Sequence, residues 1–274
     1  MRLQSDLPEH CCLLPVIIGA YGGMGRAVTD AMSSSGYRVF ALDKNVGEKR
    51  ENIIPIKVDI TSSQSVEDAK NKVLEHTDSI YAILNFAGVY MLDSLVEMSE
   101  ENIRKIFDIN LFGAYLVNKA FAPMIVRGGR IIITTSELAP LDPLPFTGVY
   151  AISKASLDKY AYSLAMELQL LDIKVSVLRA GAVDTGMISA STDALDKFCN
   201  ETRVYSCNAK RFKKIVDGVE ARRIPPEKIA KKVRKILSRK HPRFAYSINR
   251  NPLLLILNAM PKPFQLWVIK KILK

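Results

Sequence analysis

The sequence predicts an α/β fold built on one doubly wound, mostly parallel sheet of about seven strands with helices on both faces. Seven short runs of β-branched and apolar residues recur along the 274 residues, and segments with helical periodicity separate them. The runs are apolar almost throughout, as strands are when both faces of a parallel sheet are covered. Strands that alternate with helices favour parallel pairing.

The elements can be read in chain order. The predicted strands are PVII, YRVFALD, NIIPIKVD, SIYAILNFAG, GRIIITTS, IKVSVLRAG and RFAYSI. Ser99 is the predicted N-cap of a helix that runs through EENIRKIFDINLFGAYLVNKAFAPMIV. No repeat, low-complexity tract or linker interrupts the alternation, so we expect residues 1–274 to form a single domain.

The composition fits one globular core, because 48% of the residues are hydrophobic. Cys11, Cys12, Cys199 and Cys207 have neither a disulfide nor a metal-ligand spacing, which predicts a reducing, cytoplasmic setting and no metal site. The N-terminal residues lack the pattern of a signal peptide. The apolar run LLLIL near the C-terminus is far too short to span a bilayer.

The net charge of +11 is concentrated near the C-terminus. Residues 209–274 contain 19 Lys and Arg residues and 3 acidic residues, whereas residues 1–208 contain 20 Lys and Arg residues and 25 acidic residues. No nucleic-acid-binding motif accompanies this charge, so we expect no nucleic-acid partner. A solvated basic face, contact with an anionic membrane and attraction of an anionic substrate are the three interpretations.

A glycine-rich loop, IGAYGGMGRAV, follows the first predicted strand. Its glycines permit a tight turn and let backbone N–H groups approach a pyrophosphate at a helix N-terminus. Asp43 ends the next strand, 24 residues after Gly19, where an acid binds the adenosine ribose of NAD and repels the added phosphate of NADP. NAD is therefore the predicted cofactor, and the nearby Arg26 and Lys44 keep NADP as the alternative.

A tyrosine and a lysine four residues apart occur twice, in YLVNK from Tyr115 and in YAISK from Tyr150. The spacing places each pair on one helix face, so it does not identify a reactive pair. Ser136 ends a predicted buried strand 14 residues before Tyr150, and ligands bind at such strand ends. We therefore expect Tyr150 and Lys154 to react, with the ammonium lowering the pKa of the phenol from about 10 towards about 7. Tyr115 and its lysine, Lys119, are expected to serve packing and solvation.

Several ordered motifs make residues 13–250 resemble the classical short-chain dehydrogenases and reductases, which have an NAD-binding Rossmann fold. Besides the glycine loop, these motifs are VDIT around Asp59, NFAG from Asn85 to Gly88, DINLFG around Asn110, the Ser136, Tyr150 and Lys154 positions, and RAGAVDTGM. Ile18, Phe86 and Ala180 replace the Thr, Asn and Pro that are usual at these positions.

The resemblance implies a catalytic tetrad and a cofactor site. Tyr150 would exchange a proton with the substrate, and Ser136 would bind the substrate oxygen. Lys154 would hold the nicotinamide ribose, and Asn110 would hold a water in a proton relay. The residues expected to contact the cofactor are Gly19, Tyr21, Gly22, Gly23, Met24, Gly25, Asp43, Asp59, Ile60, Asn85, Ala87, Gly88, Tyr150, Lys154, Gly181, Val183 and Thr185.

The implied reaction is hydride transfer between NAD(H) and a secondary alcohol or ketone. Similarity to hydroxysteroid and retinol dehydrogenases implies a lipophilic substrate, such as a hydroxysteroid or bile acid, and a homodimer or homotetramer. The alternatives are a 3-oxoacyl-thioester reductase and a dinucleotide-sensing regulator without turnover. Asp43 argues against the first alternative, since such reductases mostly use NADPH, and the complete tetrad argues against the second.

Two segments are expected to border the substrate. Residues 186–224 would form a lid, although their apolar side chains are equally typical of a helix packed on the core. Those side chains are Met187, Ile188, Leu195, Phe198, Val204, Tyr205 and Phe212. Residues 251–274 would form a basic amphipathic extension that lies at the mouth of the site or contacts an anionic membrane.

Overall fold

The computed structural model describes residues 14–220 and 222–274, and this part of the chain contains one sheet of seven parallel strands. The strands are β1 (Pro15–Ile18), β2 (Val39–Asp43), β3 (Ile53–Lys57), β4 (Ile80–Asn85), β5 (Ile125–Ser136), β6 (Lys174–Ala180) and β7 (Ala245–Ile248). Their order across the sheet is β3-β2-β1-β4-β5-β6-β7. The predicted fold class is confirmed. Cys11 and Cys12 lie outside the described residues.

The helices cover both faces of the sheet. They are α1 (Gly23–Ser33), α2 (Ser63–Leu74), α3 (Glu100–Phe107), α4 (Gly113–Phe121), α5 (Gly148–Leu168), α6 (Gly186–Glu201), α7 (Ser206–Glu220), α8 (Glu227–Leu237), α9 (Pro252–Ala259) and α10 (Lys262–Leu273). The buried residues of α2, α4 and α5 share a core with Val16 and Ile18 of β1. Ile17 faces the opposite way, into a second core with α1 and α8. This alternation explains why the strands are apolar throughout.

The strand order reverses between β1 and β4, and a crevice for ligands opens at such a reversal. Ile18 pairs with Asn85 across β1 and β4, and Ser136 pairs with Ala180 across β5 and β6. The last residues of four central strands therefore meet at the same edge of the sheet.

The long helix predicted after Ser99 is interrupted. The Ser99 hydroxyl caps α3 as expected, accepting a hydrogen bond from the Asn102 N–H at 3.3 Å. Residues 108–112, however, form a π-helical turn, and β5 already begins at Ile125. A π-helical turn is wider than an α-helical turn, and this one holds Asn110 in a buried position. Pro123 lies in the short 3₁₀ turn that ends the helical segment.

The segments after β6 pack on one another around an aromatic cluster. The ring of Phe146 lies 4.7 Å from that of Phe198 in α6 and 5.3 Å from that of Phe212 in α7. Leu273 of α10 belongs to the same buried cluster. The C-terminal helix is therefore attached to the segment between β6 and β7. No helix among the described residues is long and apolar enough to cross a membrane.

Candidate active site

The glycine loop lies at the carboxyl edge of β1 and packs too closely on its neighbours for side chains at Gly19 and Gly23. Gly19 has a φ of 73°, and a side-chain carbon there would lie 2.7 Å from the Ala87 nitrogen. At Gly23, such a carbon would lie 2.4 Å from Cγ2 of Thr185. The N-terminus of α1 begins after Gly22 without a side-chain cap, so its N–H groups are available to an anion. These features fit a dinucleotide pyrophosphate.

Asp43 at the end of β2 fixes the loop and faces its entrance. Its Oδ2 accepts a hydrogen bond from the Tyr21 N–H at 3.0 Å. Lys44 Nζ lies 2.9 Å from Oδ2 of Asp59. Hydrogen bonds, first from Thr61 and then from Lys44, lower the pKa of Asp59 to about 2. Lys44, one of the two residues that keep NADP as an alternative, is thus paired with Asp59; the other, Arg26, is exposed and lies 3.9 Å from Asp30.

The other expected cofactor contacts lie on loops at the same edge. They are Met24 and Gly25 at the start of α1, Ile60 after β3, Ala87 and Gly88 after β4, and Gly181, Val183 and Thr185 after β6. Asn85 ends β4, and its amide donates to Asn118 Oδ1 of α4 at 3.0 Å. The structure therefore brings the predicted cofactor residues around one crevice.

The four tetrad residues are also brought together. Ser136 ends β5, Asn110 lies in the π-helical turn, and Tyr150 and Lys154 lie in the first two turns of α5. All four side chains are buried, with exposed fractions of 1–8%. Ser136 forms a hydrogen bond with the Tyr150 hydroxyl. Lys154 Nζ lies 6.0 Å from the centre of the Tyr150 ring and 3.4 Å from the Thr134 carbonyl oxygen.

The expected lowering of the Tyr150 pKa is wrong. Burial raises the pKa of Tyr150 to about 12, although its hydrogen bond with Ser136 acts in the opposite direction. Burial also lowers the pKa of Lys154 to about 8. The reason is that both groups lose water, and the ammonium is not directed at the phenol oxygen but lies close to the Thr134 carbonyl.

Asn110 fixes the loop after β4 against α5. Its Oδ1 accepts from the Val89 N–H at 2.8 Å, and its Nδ2 donates to the Val89 carbonyl and to Ser153 Oγ, each at 3.0 Å. Asn110 Oδ1 and Lys154 Nζ both approach Gly88, at 3.1 and 3.0 Å from the place of a side-chain carbon. The water-holding role of Asn110 stays a prediction.

The second tyrosine–lysine pair lies elsewhere. Tyr115 and Lys119 are exposed on α4, and Lys119 Nζ lies 5.8 Å from the centre of the Tyr115 ring. The Tyr115 ring packs edge-on against Tyr160 of α5. Neither residue lines the cavity described next.

An apolar cavity of about 530 Å³ opens over Ser136 and Tyr150, a size within the range of about 300–1,000 Å³ for small-molecule sites. Its walls include Val183, Met187 and Ile188 after β6, Phe212, Ile215 and Val216 of α7, and Leu253, Leu254, Leu257, Val268, Ile269 and Ile272 of α9 and α10. Within residues 186–224, Met187 lines the cavity, whereas Phe198 packs on Phe146; the lid role of this segment stays a prediction. A larger groove of about 820 Å³ between α1 and α8 contains no tetrad residue.

Sequence reasoning missed three features of this cavity. The Tyr90 ring lies 4.8 Å from the Tyr150 ring. Glu137 places a carboxylate beside Ser136 in the lining. The apolar run of α9, judged only as too short to span a bilayer, lines the cavity with Leu253, Leu254 and Leu257. An acid directly after a buried strand was the available signal for Glu137.

Comparison with known proteins agrees with this geometry. The description of the short chain dehydrogenase family matches residues 15–196. A 3-ketodihydrosphingosine reductase of Bacteroides thetaiotaomicron is 26% identical over 248 residues, 90% of this chain and 91% of that protein. Estradiol 17-beta-dehydrogenase 2 of Mus musculus is 31% identical over 207 residues, 69% of this chain and 54% of that protein.

A solved structure supports the fold. A short chain dehydrogenase/reductase from Burkholderia phymatum in complex with NAD has a TM-score of 0.74 and 22% sequence identity, and the match covers 91% of this chain and 92% of that one. The family description covers well over half of the chain. The chain therefore belongs to the short-chain dehydrogenase/reductase family, whose members are NAD(P)-dependent oxidoreductases acting on CH–OH groups.

Proposed function

We propose that this protein interconverts a lipophilic secondary alcohol and its ketone with NAD(H), using Ser136, Tyr150, Lys154 and Asn110. The observation that carries the proposal is the placement of Ser136 and Tyr150 in the lining of an apolar cavity at the carboxyl edge of the sheet. Bound in the crevice, the nicotinamide would supply or accept the hydride. The protein would supply the proton and exclude water.

Each tetrad residue has one role in this proposal. Ser136 and the Tyr150 hydroxyl bind the substrate oxygen, and Tyr150 exchanges its proton with it. Lys154, whose pKa burial lowers to about 8, holds the nicotinamide ribose and exchanges a proton near neutral pH. Asn110 holds the Val89 backbone and Ser153 in place and, as the family resemblance implies, supports a water in the proton relay.

The proposed cofactor is NAD rather than NADP. Asp43 lies at the end of β2, where its charge repels a ribose phosphate. Lys44, which would have to bind that phosphate, is paired with Asp59. The residues proposed to hold the cofactor are the seventeen named from the sequence, and the uncapped N-terminus of α1 after Gly22 supports this assignment.

The proposed substrate is a hydroxysteroid, a bile acid or another lipid-like alcohol. Support comes from the apolar cavity lining and from relatives named for an estradiol and for a ketodihydrosphingosine. A screen of steroids, bile acids, retinoids, long-chain ketones and acyl thioesters, following NADH and NADPH absorbance, tests the proposal. Turnover of a lipophilic alcohol or ketone that Tyr150→Phe abolishes would support it. Activity only on acyl thioesters, or binding of NAD without any turnover, would replace it with one of the alternatives.

We further propose that the protein acts in the cytoplasm at the surface of an anionic membrane. Phe264 and Trp267 of α10 stack at 5.5 Å, and both side chains are about half exposed. Leu253, Ile256 and Leu266 are exposed nearby in sequence. Exposed aromatic and aliphatic side chains beside lysines are typical of an interfacial helix. Leu253 and Ile256 of α9 also line the cavity, so a lipophilic substrate would have a short route from the bilayer to Tyr150.

The proposed assembly is a homodimer or homotetramer. Phe112, Tyr115, Ile152 and Met166 are apolar side chains exposed on α4, α5 and the π-helical turn. The two helices lie side by side, since Asn118 of α4 donates to the Tyr160 hydroxyl of α5. Two copies of this face would bury these side chains about a twofold axis.

A further inference from the structure

Glu137 is an acid in the wall of an otherwise apolar cavity. It follows Ser136 directly and lines the same cavity as Ser136 and Tyr150. Among the described residues of that lining, no other side chain carries a charge. An acid in such surroundings is costly unless hydrogen bonds or an opposite charge compensate it.

The carboxylate of Glu137 is held in place but only partly compensated. Oε2 accepts a hydrogen bond from the Asn251 N–H at 2.6 Å, and the Glu137 N–H donates to the Ala180 carbonyl at 3.0 Å. Oε1 lies over Gly181, 3.0 Å from the place of a side-chain carbon. Within residues 14–220 and 222–274, no hydrogen bond to Oε1 is formed. The second oxygen is thus positioned towards the cavity floor and remains available to a donor.

The electrostatics of Glu137 favour a positively charged partner. Burial raises the pKa of Glu137, and the exposed Arg250 only partly opposes this rise. Glu137 in turn contributes to the raised pKa of Tyr150, so its charge acts at the reactive end of the cavity. A cation beside the reacting carbon would compensate both effects.

We propose that Glu137 is a recognition site for an ammonium group next to the reacting carbonyl or carbinol carbon of a long-chain lipid. The substrate class is then an apolar amino ketone or amino alcohol. The apolar walls of α7, α9 and α10 would bind its chain, and Oε1 would bind its ammonium group. This inference rests on the proposed alcohol–ketone function and names the substrate class of that same site.

Glu137 also joins the C-terminal helices to the core, because Asn251 is the N-cap of α9. The test must therefore separate recognition from tethering. Glu137→Gln keeps an oxygen that accepts from the Asn251 N–H but removes the charge. Asp142→Asn is the matched control, because Asp142 pairs with Lys262 and accepts from Gln265 of α10 without lining the cavity.

The experiment compares a long-chain ketone, hexadecan-3-one, with its 2-amino derivative as substrates of the full-length wild type and both variants. We expect wild type to favour the amino ketone in kcat/KM by about tenfold or more, as for a hydrogen bond to a charged group. Glu137→Gln should bring the ratio of kcat/KM for the amino ketone to that for the neutral ketone close to one, whereas Asp142→Asn should keep the wild-type ratio. Equal losses on both ketones, or no preference in wild type, would overturn the inference while leaving the proposed function intact.

A binding measurement decides the case in which neither ketone is turned over. Dodecylamine and dodecanol are titrated against wild type and Glu137→Gln by calorimetry, with the cofactor present. Tighter binding of the amine that depends on Glu137 supports the ammonium site even if the proposed reaction fails. Equal affinities of amine and alcohol, unchanged by Glu137→Gln, overturn it.

Discussion

Lys154 Nζ lies 6.0 Å from the centre of the Tyr150 ring, and both side chains are more than nine-tenths buried. Because water solvates neither group, burial raises the pKa of Tyr150 to about 12 and lowers that of Lys154 to about 8. Burial therefore disfavours the charged form of both groups at the point where a proton must be exchanged. Shifted pKa values of this kind are characteristic of functional sites. The burial that causes them also lowers the stability of the folded protein.

The first prediction separates the two tyrosine–lysine pairs. Tyr150→Phe should lower kcat/KM by about 10²- to 10⁴-fold, because it removes the proton donor, while NADH binding measured by fluorescence stays near wild type. Tyr115→Phe should remain within about twofold of wild type, because Tyr115 is exposed on α4. Similar losses in the two variants would mean that the wrong pair has been identified.

The second prediction concerns stability and pH. The folded-state pKa of Lys154 is lowered from 10.5 to about 8, so below pH 8 the folded protein bears the cost of a buried ammonium. That shift corresponds to about 3 kcal/mol at ~1.4 kcal/mol per pKa unit. Lys154→Met should therefore unfold at higher urea concentration than wild type at pH 7. As pH rises from about 8 towards 10.5, wild type loses this proton and the difference should shrink.

Urea titrations of both proteins without cofactor, across that pH range, measure the effect. Lys159→Met, the same substitution at an exposed position of α5, is the control and should stay within about 0.5 kcal/mol of wild type. A Lys154→Met protein that is less stable than wild type at pH 7 would contradict the buried-charge argument.

The third prediction concerns the cofactor. Wild type should have a higher kcat/KM with NAD than with NADP. Asp43→Ala should lower the ratio of kcat/KM with NAD to kcat/KM with NADP by about tenfold or more, because the carboxylate no longer binds ribose hydroxyls or repels the phosphate. Asp43→Asn is the informative control: it keeps an acceptor for the Tyr21 N–H but loses the charge. If wild type prefers NADP, Lys44 or Arg26 must bind the phosphate, and Lys44→Met or Arg26→Met should then lower NADP affinity.

The fourth prediction concerns the C-terminal helices. Truncation after Met260 removes α10, which lines the cavity with Val268, Ile269 and Ile272. The KM for bulky apolar substrates should rise several-fold, while the KM for NAD should stay unchanged because none of the residues proposed to hold the cofactor lies in α10. Kinetics unchanged by truncation would mean that α10 only covers the surface.

Membrane contact is tested separately with full-length protein. Lys262 pairs with Asp142, so Lys270 and Lys271 of α10 and Lys274 directly after it are the lysines left for anionic lipid. At about 1 kcal/mol each, they predict weak, salt-sensitive binding to vesicles containing phosphatidylserine. The Phe264→Ser, Trp267→Ser double variant should co-sediment less, whereas Leu170→Ser, which removes a still more exposed apolar side chain after α5, should not differ from wild type. Absence of vesicle binding at low salt would refute membrane contact.

The fifth prediction concerns assembly. Ile152→Glu combined with Met166→Glu would place charges on the exposed apolar face of α5. If this face joins two copies, light scattering after gel filtration should show dimers or tetramers for wild type and an assembly of fewer subunits for the variant. A monomeric wild type would exclude the proposed assembly.

The fold class was determined by the sequence itself. Seven apolar runs separated by helical segments specify a parallel sheet covered on both faces, because each strand must bury both of its faces. The glycine loop, Asp43 and the order of Ser136, Tyr150 and Lys154 could also be read directly. They are short motifs whose positions at strand and helix ends follow from local pattern alone.

Only the tertiary structure decided how these groups behave. The π-helical turn at Asn110 and the early start of β5 depend on tertiary packing, which the spacing of apolar residues in the sequence does not predict. The pKa values of Tyr150 and Lys154 depend on burial, whereas the prediction from sequence considered only the attraction between the ammonium and the phenolate. The Glu137 carboxylate accepts a hydrogen bond from the backbone of Asn251, which lies 114 residues further along the chain. The shape and charge of the substrate cavity are therefore long-range properties, since they arise from segments that become neighbours only when the chain folds.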